Sequence, residues 1–241
     1  LLLKDNKEKI DYLRHLADTV YINDVVERHR VKNRLELEEL LRIIASSIGA
    51  PSNPTKLSNT FKSLKNIVIS NKTLGNYLNY LCDAFMIGRA VRYNIKGKKY
   101  INTLSKYYFT DIGLRNALLD FRQTEQTHIM ENVIYNELLY RGYSVDVGIV
   151  EVTGHDKNGK FIRKQLEVDF VVNDGSQRYY IQSAFSIPDE EKMSQETASF
   201  RHIDDSFKKI LVVKDDIMPY TDDNGFLHIG LFDFLLKPQM M

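Results

Sequence analysis

The chain has 241 residues, 43% of them hydrophobic and 27% charged, with a formal net charge of +1. That composition fits a globular protein of one large domain or two small ones, and it excludes a disordered or fibrous chain. The one cysteine, Cys82, excludes an internal disulfide framework and a cysteine-based zinc site. No apolar run approaches the ~20 residues of a membrane span, so no membrane partner and a cytoplasmic location are expected.

The charge is unevenly spread. Positions 1–49 carry nine bases and nine acids. Positions 50–106 carry ten bases (Lys56, Lys62, Lys65, Lys72, Arg89, Arg92, Lys96, Lys98, Lys99 and Lys106) against the single acid Asp83, about +9. From 107 onward 14 bases face 22 acids, about −8. Two readings of the basic segment stand open: a surface facing a polyanion, or a solvated lysine-rich face.

Leu1-Leu2-Leu3 has no initiating Met and no evident cap, so a start in mid-protein is expected. Apolar positions Ile10, Leu13, Leu16, Val20 and Tyr21 predict a helix over 7–21, and Leu35, Leu37, Leu40, Leu41, Ile43 and Ile44 one over 31–47. Gly49 and Pro51 stop it. Asn53-Pro54 opens a helix to about 64 with Leu57, Phe61 and Leu64 inward, and Ser70 caps another running to about 84. Strands follow at 87–93 and 100–104, joined by a turn holding Lys96, Lys98 and Lys99.

Helix, helix, then a hairpin with a basic tip is the winged-helix order. It assigns the helix from Lys72 to recognition and the turn to the wing. Lys62, Lys65, Lys72, Lys96, Lys98 and Lys99 are the candidate nucleic-acid contacts, with double-stranded DNA as the expected partner. Tyr107-Tyr108-Phe109 is expected to pack inward.

The expected domains are a helical bridge over 1–49, a winged helix over 50–122 and a second unit over 123–241. The polar stretch 122–127 is the linker candidate. The second unit reads as a helix over 129–141, a strand over 143–152, a loop over 154–160 and a hairpin over 167–184. A helix over 189–203 and strands at 209–213 and 226–231 follow. That order suggests a small α/β domain with a mixed sheet.

The hairpin carries one acid, Asp169, in an apolar run. A charge there is costly unless a partner or a metal offsets it. Hydrolysis of a phosphodiester with a divalent metal needs hard oxygen ligands and a group that activates water. An Asp on one strand, with a Glu two residues before a Lys on the next, sets those groups on one face. Glu131, Glu167-Val-Asp169-Phe170 and Tyr180-Ile-Gln182-Ser-Ala184 resemble the core of the PD-(D/E)xK, or restriction-endonuclease-like, fold. Asp169 matches the motif Asp and Glu131 the helix Glu. Gln182 stands where a carboxylate is expected and Ala184 where a Lys is expected. Glu131, Asp169 and Gln182 are thus the candidate catalytic residues of a degenerate site. Asp169 and Glu131 are its candidate metal ligands, for Mg²⁺ or Mn²⁺ if it works. Lys164 or Lys192 would have to supply the lost ammonium.

A wider resemblance rests on motifs in order along nearly the whole chain. They include Tyr12-Leu13, Asp24-Val25-Val26, Ala84-Phe85-Met86-Ile87, Arg92-Tyr93-Asn94-Ile95-Lys96-Gly97-Lys98, Tyr108-Phe109-Thr110-Asp111-Ile112-Gly113-Leu114-Arg115, Glu131-Asn132-Val133 and Glu167-Val168-Asp169-Phe170. These are similar to the C-terminal region of a prokaryotic AAA-type ATPase family whose tail is a domain of unknown function. The resemblance implies an α+β tail: a helical and winged-helix part, then a nuclease-like domain that is usually degenerate, with Gln typical in place of Glu. No Gly-x-x-x-x-Gly-Lys-Ser/Thr occurs in the chain. ATP and Mg²⁺ are therefore expected only in an N-terminal ATPase module, itself an expected partner, and no cofactor in this chain.

The leading expectation is a non-catalytic regulatory or nucleic-acid-binding region. The alternatives are a metal-dependent DNA nuclease and a module docking on the ATPase or another protein.

Overall fold

The computed structural model describes residues 5–122, 125–155 and 159–237, except the side chains of Val20, Asn102 and His155. It is a mixed α+β protein, helical first and then built on a sheet of parallel and antiparallel strands. The chain divides into two compact units, and neither is contiguous. The first is Leu1–Arg89 with Leu104–Asn132; the second is Ala90–Thr103 with Val133–Met241. The expected linker includes positions 123 and 124, and the expected loop 154–160 includes 156–158; these lie outside the described residues. Among the described residues no helix is long and apolar enough to cross a membrane.

The first unit begins with α1 (Asn6–His15), a π-helical turn (Leu16–Tyr21) and α2 (Ile22–His29) in unbroken succession. Then come α3 (Arg34–Ser46), α4 (Pro54–Lys65) and α5 (Asn71–Asp83). Each start has a local cause. Asn33, Asn53 and Ser70 accept from the backbone N–H three residues on, at 3.3, 2.8 and 3.0 Å. Such caps are worth about 1 kcal/mol each. The apolar spacing then fixes the buried faces. Leu37, Leu40, Leu41 and Ile44 on α3, and Leu74, Tyr77, Leu78 and Leu81 on α5, repeat one i, i+3, i+4, i+7 stripe, and all eight are buried. The predicted start of α3 at 31 moves to Arg34, because Asn33 supplies the cap.

A hairpin follows, β1 (Ile87–Asn94) and β2 (Lys99–Phe109). The stretch after α3 runs along the part of β2 that belongs to the first unit. Ser52 and Ser105 exchange both main-chain hydrogen bonds, at 2.8 and 2.9 Å, and Gly49 N–H donates to the Tyr107 carbonyl at 3.1 Å. Then α6 (Ile112–Leu118) and α7 (Gln126–Tyr140) follow, α7 passing from one unit to the other after Asn132.

The second unit adds β3 (Ser144–His155), β4 (Phe161–Asp174), β5 (Gln177–Ala184), β6 (Lys208–Val213), β7 (Tyr220–Thr221) and β8 (Leu227–Gly230). The strand order is β2-β1-β3-β4-β5-β6-β8-β7. β1 runs parallel to β3, and β6 runs parallel to both β5 and β8; β3–β4, β4–β5 and β7–β8 are antiparallel. Its core packs Ile95, Val150, Val168, Val171, Tyr180, Phe200, Ile203 and Phe226 together. The helix expected over 189–203 is broken: α8 (Glu190–Glu196) ends, and a single 3₁₀ turn (Phe200–His202) delivers Phe200 to this core. The last element among the described residues is α9 (Leu231–Leu236).

Gly148 makes this core possible. A β-carbon there would lie 2.8 Å from Val168 Cβ, 2.8 Å from Val171 Cγ2 and 2.9 Å from Ile95 Cδ1. It sits where the β3–β4 register shifts, between Asp146 and Gly148. Gly148→Ala is expected to destabilise the protein by about 1–3 kcal/mol through overpacking, measured by urea denaturation.

At the far edge Asp222 organises the β7–β8 turn. Its carboxylate accepts from Asn224 and Phe226 N–H at 2.9 Å each and meets His228 Nε2 at 3.0 Å. Burial alone would raise its carboxyl, but the bonds from His228, Phe226 and Asn224 outweigh burial and hold it below the usual range. Its folded value lies below its unfolded one, so its stabilisation is present above the ordinary carboxylate range and fades as pH falls. Asp222→Asn is therefore expected to flatten the loss of stability between about pH 5 and pH 3, followed by denaturant midpoints across pH.

Candidate functional site

The predicted acidic site falls on both units. Asp169 and Gln182 stand on β4 and β5 of the second; Glu131, on α7, belongs to the first.

In the second unit the β4–β5 ladder has its last paired residues at Phe170 and Ile181. Beyond them side chains take over the hydrogen bonding. Asp169 Oδ2 accepts from the Ser183 N–H at 2.8 Å. Gln182 Oε1 accepts from the Asp169 N–H at 3.3 Å. Asp169 is 7% exposed and Ala184 2%. β5 meanwhile continues along β6, with Gln182 opposite Leu211 and Ala184 opposite Val213. So the carboxylate and the amide stitch two strands where the ladder ends, and this offsets the cost of burying Asp169.

A hard divalent cation takes about six oxygen ligands. Asp169 and Gln182 offer one carboxylate and one amide carbonyl, each with an oxygen already accepting a main-chain N–H, and these two alone do not make the donor set of Mg²⁺ or Mn²⁺. Among the described residues no three of His, Cys, Asp or Glu group as metal ligands. The lysines expected as replacements are engaged or remote. Lys192 pairs with Glu196 at 2.6 Å. Lys164 is exposed on β4 opposite Val152, five positions before Asp169, roughly 17 Å along a strand.

Glu131 has partners in its own unit. Oε1 accepts from Lys106 Nζ at 2.8 Å and from the Tyr108 hydroxyl at 2.6 Å. The side chains of Lys106 and Glu131 are only 4% and 11% exposed. Gly49, with φ of +72°, completes the enclosure: a β-carbon there would lie 3.2 Å from Glu131 Oε1. The next residue, Asn132, clamps β2 by accepting from Phe109 N–H and donating to its carbonyl, both at 2.7 Å.

Lys106 is the partner that sequence reasoning missed, counting it as one more base of the basic segment. The signal was there: it is a single charge beside the apolar run Tyr107-Tyr108-Phe109, as Asp169 is in its own run. All three aromatic residues are buried.

Of the candidate nucleic-acid contacts, Lys62 and Lys65 lie on α4 and Lys72 in the first turn of α5, in the first unit. All three are exposed, and Lys65 Nζ is 3.0 Å from Glu39. Lys96 and Lys98 are in the β1–β2 turn and Lys99 opens β2, in the second unit, all exposed. The exposed face of α5 adds Asn76 and Asn79. Cys82, on the same helix, is partly buried, and burial pushes its thiol up to about 11 despite the nearby Arg89.

Breaking one side of the buried pair strands the other charge. Lys106→Met is expected to cost about 3–5 kcal/mol, and Lys106→Met with Glu131→Gln to recover part of that, by urea denaturation.

Comparison with known proteins gives relatives without an assigned role. The chain is 32% identical over 237 residues to an uncharacterized protein of Haemophilus influenzae, covering 98% of this chain and 55% of that protein. It is 29% identical over 232 residues to an uncharacterized protein of Methanocaldococcus jannaschii, covering 96% and 48%. The chain thus spans about half the length of these relatives. Among solved structures, protein VC1899 from Vibrio cholerae overlaps 98% of this chain and 57% of its own, at 14% identity and a TM-score of 0.32, a score too low to define a shared fold. Residues 1–125, just over half of the chain, match one family throughout, and the chain belongs to that family, described as Domain of unknown function (DUF8612).

Proposed function

We propose that this chain is a non-catalytic, nucleic-acid-binding region of a larger AAA-type ATP-binding protein, pairing a winged helix with a degenerate PD-(D/E)xK-like unit. The observation that carries the reading is the order α3, the Ser52 strand segment, α4, α5, β1, β2. In it Ser52 pairs with Ser105 of the returning strand, as the first short strand of a winged helix pairs with its last. α5 then takes the recognition position, with Lys72, Asn76 and Asn79 exposed, and Lys62 and Lys65 are exposed on α4. Lysines there neutralise phosphates without reading sequence, while Asn side chains suit the edge of adenine.

The engagement of Asp169 and Gln182 with backbone N–H groups supports the non-catalytic part. ATP and Mg²⁺ belong, in this reading, to an ATPase module in another part of the protein.

A second reading, docking on the ATPase module or another protein, is favoured by one feature of the first unit. Leu35, Leu64 and Val68 are 75%, 69% and 80% exposed. A groove of about 370 Å³ lies beside Leu35 and Ile67, edged by Glu39, Arg42 and Lys65.

Duplex binding measured across salt tests the first reading. With about six phosphate contacts, affinity is expected to fall about a thousandfold between about 50 and about 200 mM salt. Lys62→Gln with Lys65→Gln and Lys72→Gln should lower both the affinity and the salt slope. No duplex binding at low salt would sink it, and retention of the ATPase module through Leu35 and Val68 would favour the second. Cleavage of DNA with Mg²⁺ or Mn²⁺ that Asp169→Ala abolishes would overturn the non-catalytic assignment.

A further inference from the structure

The β1–β2 turn is built more rigidly than a free hairpin tip. Ile95, at its start, is 5% exposed, packs in the core of the second unit and donates its N–H to the Ile149 carbonyl at 3.0 Å. Asn94 Oδ1 accepts from the Gly97 N–H at 2.7 Å. A β-carbon on Gly97 would lie 3.1 Å from the Asn94 side chain, so any larger residue there would crowd the Asn94 bond. Lys98 takes a left-handed backbone, φ 48°, which Gly or Asn holds at lower cost. The basic side chain is thus placed by a backbone better suited to another residue. Lys96, Lys98 and Lys99 are all exposed, with no acid between them.

Beside them stands Tyr100, 58% exposed yet fixed in place. Its hydroxyl donates to Asp146 Oδ2 at 3.1 Å, and its ring meets Tyr93 edge-on with centroids 5.3 Å apart. Tyr93 in turn carries the Arg178 guanidinium 5.1 Å from its ring centre. The charge of Asp146, then burial, push the Tyr100 hydroxyl up, so it remains a neutral donor at physiological pH. An aromatic ring held at both ends, exposed, beside three lysines on a rigid turn, has the makings of a stacking platform next to a phosphate cradle.

We propose that this turn binds single-stranded nucleic acid, one base stacking on Tyr100 while Lys96, Lys98 and Lys99 take the adjoining phosphates. The site lies wholly in the second unit. It shares only those three lysines with the duplex reading and does not depend on α4 or α5. Stacking is tolerant of sequence because every base has a flat face, so the expected ligand is an unpaired strand of little sequence preference. Paired bases in a duplex have both faces covered and gain nothing from Tyr100.

Fluorescence anisotropy of the whole chain with fluorescein-labelled oligo-dT, and with a duplex of equal length, tests this. Tyr100→Ala is expected to weaken oligo-dT binding roughly 5- to 100-fold and to leave duplex binding unchanged. Tyr100→Phe should stay within about twofold, since the ring remains. Lys96→Gln with Lys98→Gln and Lys99→Gln should weaken oligo-dT binding and lower its salt dependence. Photo-crosslinking of an iodouracil-containing strand to the unaltered protein should place the adduct on Tyr100, which keeps the test decisive if Tyr100→Ala does not fold. Failure of the wild-type chain to bind oligo-dT, equal losses in the Phe and Ala variants, or an adduct elsewhere would overturn the proposal. Duplex binding that survives Lys62→Gln, Lys65→Gln and Lys72→Gln while Tyr100→Ala still weakens oligo-dT would sink the duplex reading and leave this one standing.

Discussion

Three residue pairs join β1 to β3: Arg92 with Val147, Tyr93 with Gly148 and Asn94 with Ile149. Everything distinctive about the chain depends on that short parallel ladder. It takes the outer part of a hairpin that begins and ends in the first unit and builds it into the sheet of the second. Parallel pairing needs a long crossover, and here that crossover includes β2, α6 and α7. Ile95 then seats over Gly148, where the absence of a side chain leaves room for it. Through Ile95 the tip of the hairpin is fixed in the core of the second unit.

Buried charge follows one rule in both units. Asp169 sits in an apolar strand and is answered by a backbone N–H where the ladder ends. Lys106 borders an apolar strand segment and is answered by Glu131 and, through it, Tyr108. Asp169 substitutes for main-chain hydrogen bonding, whereas Lys106 and Glu131 satisfy each other side chain to side chain. Removing one partner is therefore costlier than removing both. The same chemistry that would make a nuclease site also makes a good structural staple, and the difference lies in what the oxygens already touch.

Much of the fold was legible in the sequence. The apolar stripes of α3 and α5, the Asn-Pro and Ser caps, and the two hairpins follow from spacing and turn chemistry, which act over a few residues. What was not legible is long-range. Nothing local tells β1 that it will lie beside β3, because Arg92 and Val147 are far apart in sequence. The break after Glu196 was also hidden, since the apolar pattern through Phe200 and Ile203 suits a helix and a 3₁₀ turn alike. At the candidate site the residue types were readable, and Ala184 and Gln182 already weakened the catalytic case. The partners of Glu131 were not readable, because Lys106 had been counted with the surface bases; its burial is a property of the packed unit.

The exchange of segments between the units has a topological consequence. Each unit is made of two pieces of chain, so the backbone crosses from one to the other three times. No single cut yields an intact half. A fragment ending near position 122 would keep the hairpin but lose the strand beside it, leaving the edge of β1 unpaired and Ile95 without its core. The pair must be inherited, transplanted or truncated as one object, and a bond to a ligand at the turn is mechanically a bond to the sheet of the second unit.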